Sequence, residues 1–68
     1  MSLKLQLASN VITLRKKRGL TMDSLAALTG LSKSSVWEIE HSKGNPTLGT
    51  VEALSRGFGV SVSRLLRE

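Results

Sequence analysis

The stretch that decides the fold runs from Leu20 to Pro46, LTMDSLAALTGLSKSSVWEIEHSKGNP. Thr21 suits a helix N-cap, because its hydroxyl can accept from a free backbone N–H of the first turn. Asp23 follows in that turn, where negative charge is favoured. Leu25, Ala26 and Leu28 are the apolar residues of this helix. Gly30 supplies the permissive φ that a sharp helix–helix turn demands. Leu31 is expected as a buried plug. Ser32 then caps the next helix, about residues 33–41, with Val36 and Ile39 facing inward. Its outward residues are Lys33, Ser34, Trp37, Glu38 and His41. Two short helices across a glycine turn, the second with small polar and basic residues on its outer face, suit insertion of that helix into the major groove of DNA.

Working outward, Leu7, Val11 and Leu14 fall at i, i+4 and i+7, one face of a first helix over about residues 4–18. Gly19 ends it. Leu3, Leu5 and Ile12 lie off that stripe and are left for another part of the core or for a partner. On the other side, His41 to Pro46 has loop composition. Thr47 caps a fourth helix over about residues 48–57, with Leu48, Val51 and Leu54 read as inward. Phe58 continues the apolar cover and Gly59 ends that helix. Ser61 caps a last helix over about residues 62–67, with Val62, Leu65 and Leu66. Five short helices with short connections make an all-α bundle the expected fold class.

Sixty-eight residues are enough for one domain, expected over 1–68 with its core at about 7–66. A chain of this size buries roughly 60% of the surface its unfolded form exposes, so it folds near the lower limit. It has no cysteine and one histidine, His41. Disulfide staples and cysteine-based metal sites are thereby excluded, and no metal or cofactor is expected. There is no paired set of acids with a histidine, no phosphate-binding loop and no nucleophile beside a base, so no enzyme is expected and no small-molecule ligand is inferred. No apolar run approaches the ~20 residues of a membrane span. The start MSLKLQL lacks a signal-peptide apolar core, which with the lack of cysteine points to the cytoplasm.

Ten Lys and Arg against five Asp and Glu give a net charge of +5, and Arg15 to Arg18 form an unbroken basic run. Such a run can neutralise phosphates and release counterions. It can equally be a solvated helix end, where basic residues favour the macrodipole.

The pieces LRKKRGLT (14–21), LAALTGLS (25–32), VWEIE (36–40), NPTL (45–48) and GVSVSRLL (59–66) resemble, in order and spacing, the lambda-repressor-like Cro/C1-type helix-turn-helix domains, also called the XRE family. The resemblance covers about Leu7 to Leu66. It implies a compact five-helix bundle in which helices two and three form the helix-turn-helix and the third enters the major groove. Many members bind as dimers to half-sites about one DNA turn apart.

Carried over by position, Lys33, Ser34, Trp37 and Glu38 face the bases. Arg15, Met22, Ser32, Lys43 and Asn45 face phosphates. Lysine can donate to guanine N7 and O6, and a serine hydroxyl serves either base type. Trp37 has a second reading as a core or interface residue, and Glu38 as a spectator or selectivity element. Arg15 and Glu40 match the family's pair between the first helix and the end of the third, either partly buried and orienting or exposed and weak.

Four positions depart from the resemblance. Met22 stands where glutamine often bonds a phosphate. Ser24 stands where glutamate often completes a capping box. Ser42 replaces a common glycine, so it must accept a left-handed conformation or pass the turn to Gly44. Gly57 stands where alanine is common, loosening its helix by roughly 0.5–1 kcal/mol.

The function expected is sequence-specific binding of double-stranded DNA by a transcriptional regulator, a repressor occupying a palindromic operator as a homodimer. Phe58, Val60, Val62 and Leu66 are the candidate dimer residues, with closure of the core as their other reading. The alternative function is an antitoxin-type or protein-interaction module on the same scaffold, which Met22 and Trp37 keep open.

Overall fold

Hydroxyl caps and glycines divide the chain into its helices. In the computed structural model, which describes residues 2–68, these are α1 (Leu3–Lys17), α2 (Met22–Thr29), α3 (Lys33–Glu40), α4 (Leu48–Phe58) and α5 (Val62–Leu66). Residue 1 of the expected domain lies outside the described residues. Among those described there is no strand, and no helix is long and apolar enough to cross a membrane.

The hydroxyls of Thr21, Ser32, Thr47 and Ser61 accept from the backbone N–H of Ser24, Ser35, Thr50 and Arg64 at 3.0, 3.0, 3.1 and 3.0 Å. Each such cap is worth ~1 kcal/mol. In α2, α3 and α4 the capped residue is itself Ser or Thr, and its hydroxyl meets the capping hydroxyl at 2.9, 3.0 and 3.1 Å. Ser24 thus answers Thr21 side chain to side chain. At the other end of α1, Gly19 takes a φ of 66°. Its N–H donates to Lys16 O and that of Leu20 to Arg15 O, both at 3.0 Å, so the last carbonyls of the helix are satisfied.

The core draws on every helix: Leu7, Val11 and Leu14 from α1, Leu25 from α2, Val36 and Ile39 from α3, Val51, Leu54 and Phe58 from α4, and Leu65 from α5. α1 packs on α3 and α5, α2 on α3 and α4, and α4 on α5, in a body of 29 × 21 × 19 Å. Asn10 Nδ2 donates to Leu65 O at 2.7 Å and Arg67 O at 2.8 Å, tying α1 to the carbonyl end of the short α5.

Two expectations about the core, for Leu48 and Leu31, are corrected. Leu48 is 81% exposed, not inward. It opens α4, about a quarter turn off the stripe of Val51, Leu54 and Phe58. Leu28 is also exposed, because the inward stripe of α2 is Met22, Leu25, Ala26 and Thr29, and Leu28 lies about a third of a turn from its centre. Leu31 is only partly buried, leaning on the core rather than plugging it.

Gly57 has a packing role. A Cβ there would stand 2.6 Å from Thr29 Cγ2 and 3.4 Å from Thr29 Cα. The missing side chain is what lets α4 approach the end of α2.

Candidate nucleic-acid interface

The orientation of α3 is set from behind. Val36 and Ile39 anchor its inner face in the core. At its far end, Arg15 Nε and Nη2 donate to Glu40 Oε2 and Oε1 at 2.6 and 3.0 Å, and Arg15 Nη1 donates to Leu20 O at 3.0 Å. The two side chains are 15% and 5% exposed. One guanidinium therefore joins the end of α1, the approach to α2 and the end of α3. Its hydrogen bonds to Glu40, outweighing the opposite pull of burial, raise its pKa above the ordinary arginine value. All three of its nitrogens are engaged within the fold, which makes Arg15 a strut for the helix-turn-helix first. Lys16, Lys17 and Arg18 of the basic run are exposed, with the Arg18 guanidinium 5.3 Å from the centroid of the Phe58 ring.

The turn between α2 and α3 is held by Gly30, at a φ of 78°, and by Thr29. The Thr29 hydroxyl donates to Leu25 O at 2.8 Å and accepts from Leu31 N–H at 3.3 Å. The front of the unit is open: Lys33, Ser34, Trp37 and Glu38 on α3 and His41 at its C-cap are exposed.

Several of these side chains have partners that residue types alone did not reveal. Lys33 Nζ lies 3.3 Å from Asp23 Oδ1, joining the first turns of α3 and α2, but the two side chains are 65% and 73% exposed. Such a pair is worth ~0–1 kcal/mol and is readily exchanged for another anion. Glu38 leans toward the loop that follows α3. Its Oε1 would lie only 3.3 Å from a Cβ on Gly44, and its carbonyl accepts from Lys43 N–H at 2.7 Å. Trp37 and His41 stack with ring centroids 4.0 Å apart at 13°. The i, i+4 spacing of these two was the signal for their contact.

Of the residues expected to face phosphate, Lys43 and Asn45 are exposed in the loop after α3. That loop is shaped by left-handed Ser42 (φ 54°) and Gly44 (φ 65°), so the turn uses both candidates. Lys4 Nζ donates to Gly44 O at 2.7 Å and ties the loop to α1. The Ser32 hydroxyl is occupied by its cap. Met22 packs its side chain on the core, which leaves its backbone N–H at the start of α2 as its group for an anion.

The candidate dimer residues are less uniform than expected. Phe58 is 2% exposed and closes the core beneath Arg18, so it offers a partner no surface. Val60, Val62 and Leu66 are partly buried against the same core. Leu66 also lines an open groove with Leu3, Leu7, Pro46, Leu48 and Val51.

The family model described as helix-turn-helix, HTH_3, matches residues 11–65. The chain is 40% identical over 55 residues to the immunity repressor protein of Bacillus phage phi105, covering 81% of this chain and 38% of that one. Among solved structures it superposes on an HTH_3 family transcriptional regulator from Vibrio cholerae with a TM-score of 0.87 at 38% identity, over 93% of this chain and 35% of that one. It also superposes on the hypothetical transcription factor NHTF from Neisseria with a TM-score of 0.92 at 29% identity, over 97% and 76%. The chain thus spans little more than a third of the length of the phage repressor and of the Vibrio regulator. The order of the five helices, the glycine turn before α3 and the sequence match over residues 11–65 have one common reading: the chain belongs to the helix-turn-helix (HTH_3) family.

Proposed function

We propose that the chain binds double-stranded DNA sequence-specifically, seating α3 in the major groove, and represses transcription by occupying an operator. The observation that carries this reading is the division of α3 into a buried back and a free front. Val36, Ile39 and the Arg15–Glu40 strut fix its direction, while Lys33, Ser34, Trp37 and Glu38 are exposed to solvent on the other face. Lys33 and Ser34 supply the donors for purine edges. Lys43, Asn45, the first backbone N–H of α2 at Met22 and that of the α3 cap at Ser32 serve the flanking phosphates. The mechanism is steric and electrostatic, without chemistry, and takes place in the cytoplasm.

The working unit in this reading is a homodimer on a palindromic site, with half-sites about one turn apart. The open apolar groove of Leu3, Leu48 and Leu66 supports a partner copy, and Val60 and Val62, partly buried on the core, remain the other candidates. Sedimentation at micromolar concentration, with and without duplex, is expected to give a dimer; monomer alone in both would remove this part.

Selection from a random duplex library at ~100 mM salt is expected to enrich one palindromic motif. Affinity for that motif is expected to fall steeply with salt, with a logarithmic slope of about −0.9 per phosphate neutralised. A library with nothing enriched, or a flat salt response, would count against DNA reading and for the protein-interaction module.

A further inference from the structure

We propose that His41 is a positioning residue for Trp37, and that the stacked pair forms a rigid plate that reads the methyl group of a thymine in the major groove. The proposal rests on the DNA-binding reading of α3. Trp37 is 45% exposed at the centre of the outward face, between Lys33, Ser34 and Glu38, which line a shallow recess with it. A tryptophan on a helix surface ordinarily samples several rotamers. Here the imidazole of His41, one helical turn on, covers one face of the indole at 4.0 Å and 13°.

The imidazole is itself tied down. The Trp37 carbonyl accepts from His41 N–H at 3.0 Å, and His41 Nδ1 lies 2.9 Å from the same oxygen. A carbonyl can only accept, so this contact is a hydrogen bond in the tautomer that carries its proton on Nδ1. Swinging the ring away breaks that bond and the stack together. The indole is therefore held in place before any ligand arrives, and binding does not have to freeze it.

What such a plate can read follows from the groove. Apart from one N–H, an indole offers carbon. On the major-groove edges of the four base pairs, the distinctive apolar group is the C5-methyl of thymine. Lys33 and Ser34, on the same face, are the donors for neighbouring purines. A plate that moved freely would meet a methyl in one rotamer and miss it in another. His41 therefore governs whether the contact is made, without itself touching the base.

The test begins from the duplex that the wild-type chain enriches from a random library. Each thymine in it is replaced singly by uracil, which removes the methyl and leaves every hydrogen-bonding group. Wild type is expected to lose roughly fourfold in affinity at one step per half-site, the worth of one buried methyl. Trp37→Ala is expected to bind more weakly and to show no uracil penalty at that step. His41→Ala is expected to lose most of the penalty, with faster local motion of Trp37 in fluorescence anisotropy decay and an unchanged salt slope. His41→Phe, which keeps a flat ring, is expected to recover at least half of the penalty. Far-UV circular dichroism checks that each variant is folded.

A uracil scan that is flat on an enriched duplex would overturn this proposal alone, and indicates that Trp37 meets sugar or packs elsewhere. A full penalty retained in His41→Ala would overturn the positioning role. Failure to enrich any duplex would overturn the DNA reading and this inference with it.

Discussion

The back and the front of the helix-turn-helix are held by opposite means. Behind, Arg15 and Glu40 meet through two partly buried hydrogen bonds, and α4 closes on Thr29 through a glycine that leaves no spare room. In front, Lys33 and Asp23 meet through one long exposed contact, and Trp37 and His41 lean on each other in the open. Both sides contain an ion pair, yet only one can set geometry. Desolvated charges that lose a partner are left with an unpaid solvation deficit, whereas exposed ones return to water. A recognition helix needs both regimes: a direction that does not drift, and side chains free to exchange their partners for DNA.

The sharpest test of that contrast is Glu40→Ala. It leaves the Arg15 guanidinium partly buried without its carboxylate, and is expected to cost ~3 kcal/mol or more in urea unfolding. Arg15 has its pKa raised in the folded chain, so its share of the stability is fully present below the ordinary arginine value and lost only as pH climbs past the raised one. The loss in Glu40→Ala at neutral pH therefore does not arise from titration of Arg15. A cost below ~1 kcal/mol would place this pair with the exposed one.

Gly57→Ala is next. Alanine is the better helix former by ~1 kcal/mol, but its Cβ would meet Thr29 Cγ2 at 2.6 Å. The Thr29 side chain cannot easily turn, because its hydroxyl bonds Leu25 O and Leu31 N–H. Overpacking is expected to win, with a net loss of ~1–2 kcal/mol in thermal unfolding. Adding Thr29→Ser removes the offending methyl, keeps the hydroxyl, and should return the double variant at least to the stability of Thr29→Ser alone.

Ser42→Gly relieves a left-handed serine directly behind α3, and is expected to stabilise by about 0.5–1 kcal/mol. Its effect on DNA affinity should be small, since the backbone already holds the shape that glycine prefers.

The smallest stability effect belongs to the front. Asp23→Asn is expected to change the unfolding free energy by less than ~1 kcal/mol. Affinity for the selected duplex should nonetheless rise, and the salt slope steepen by about one unit, as Lys33 becomes free to pair with phosphate or base. An unchanged affinity would mean that Lys33 already leaves Asp23 at no cost, or faces away from DNA.

Much of the frame was legible because it depends on short-range chemistry. Hydroxyl caps at Thr21, Ser32, Thr47 and Ser61, and left-handed glycines at 19, 30 and 59, act over three or four residues and leave marks in sequence at that range. The first helix, expected over about 4–18, runs Leu3–Lys17. Leu48 shows where this reading fails. A spacing of three keeps residues near one face for one step only, and the drift is visible once Phe58 is known to share the stripe. Phe58 itself could be read as core or as interface until the packing of α4 buried it. The neighbours of Lys33 and Glu38 were harder still. Asp23 and Gly44 lie ten and six residues away, and their approach depends on how two turns fold.

For this chain, residue order alone determined the helices, their ends and the face that α3 turns to the core, because caps, glycines and apolar period act locally along the backbone. Only the tertiary structure decided that Arg15 and Glu40 would be a partly buried strut and Asp23 and Lys33 a loose one, and that Gly57 is a contact rather than a weakness. Each pair joins one basic and one acidic side chain, so the formal charges match on paper. What separates them is solvent exposure, and that exists only once the helices have closed on one another.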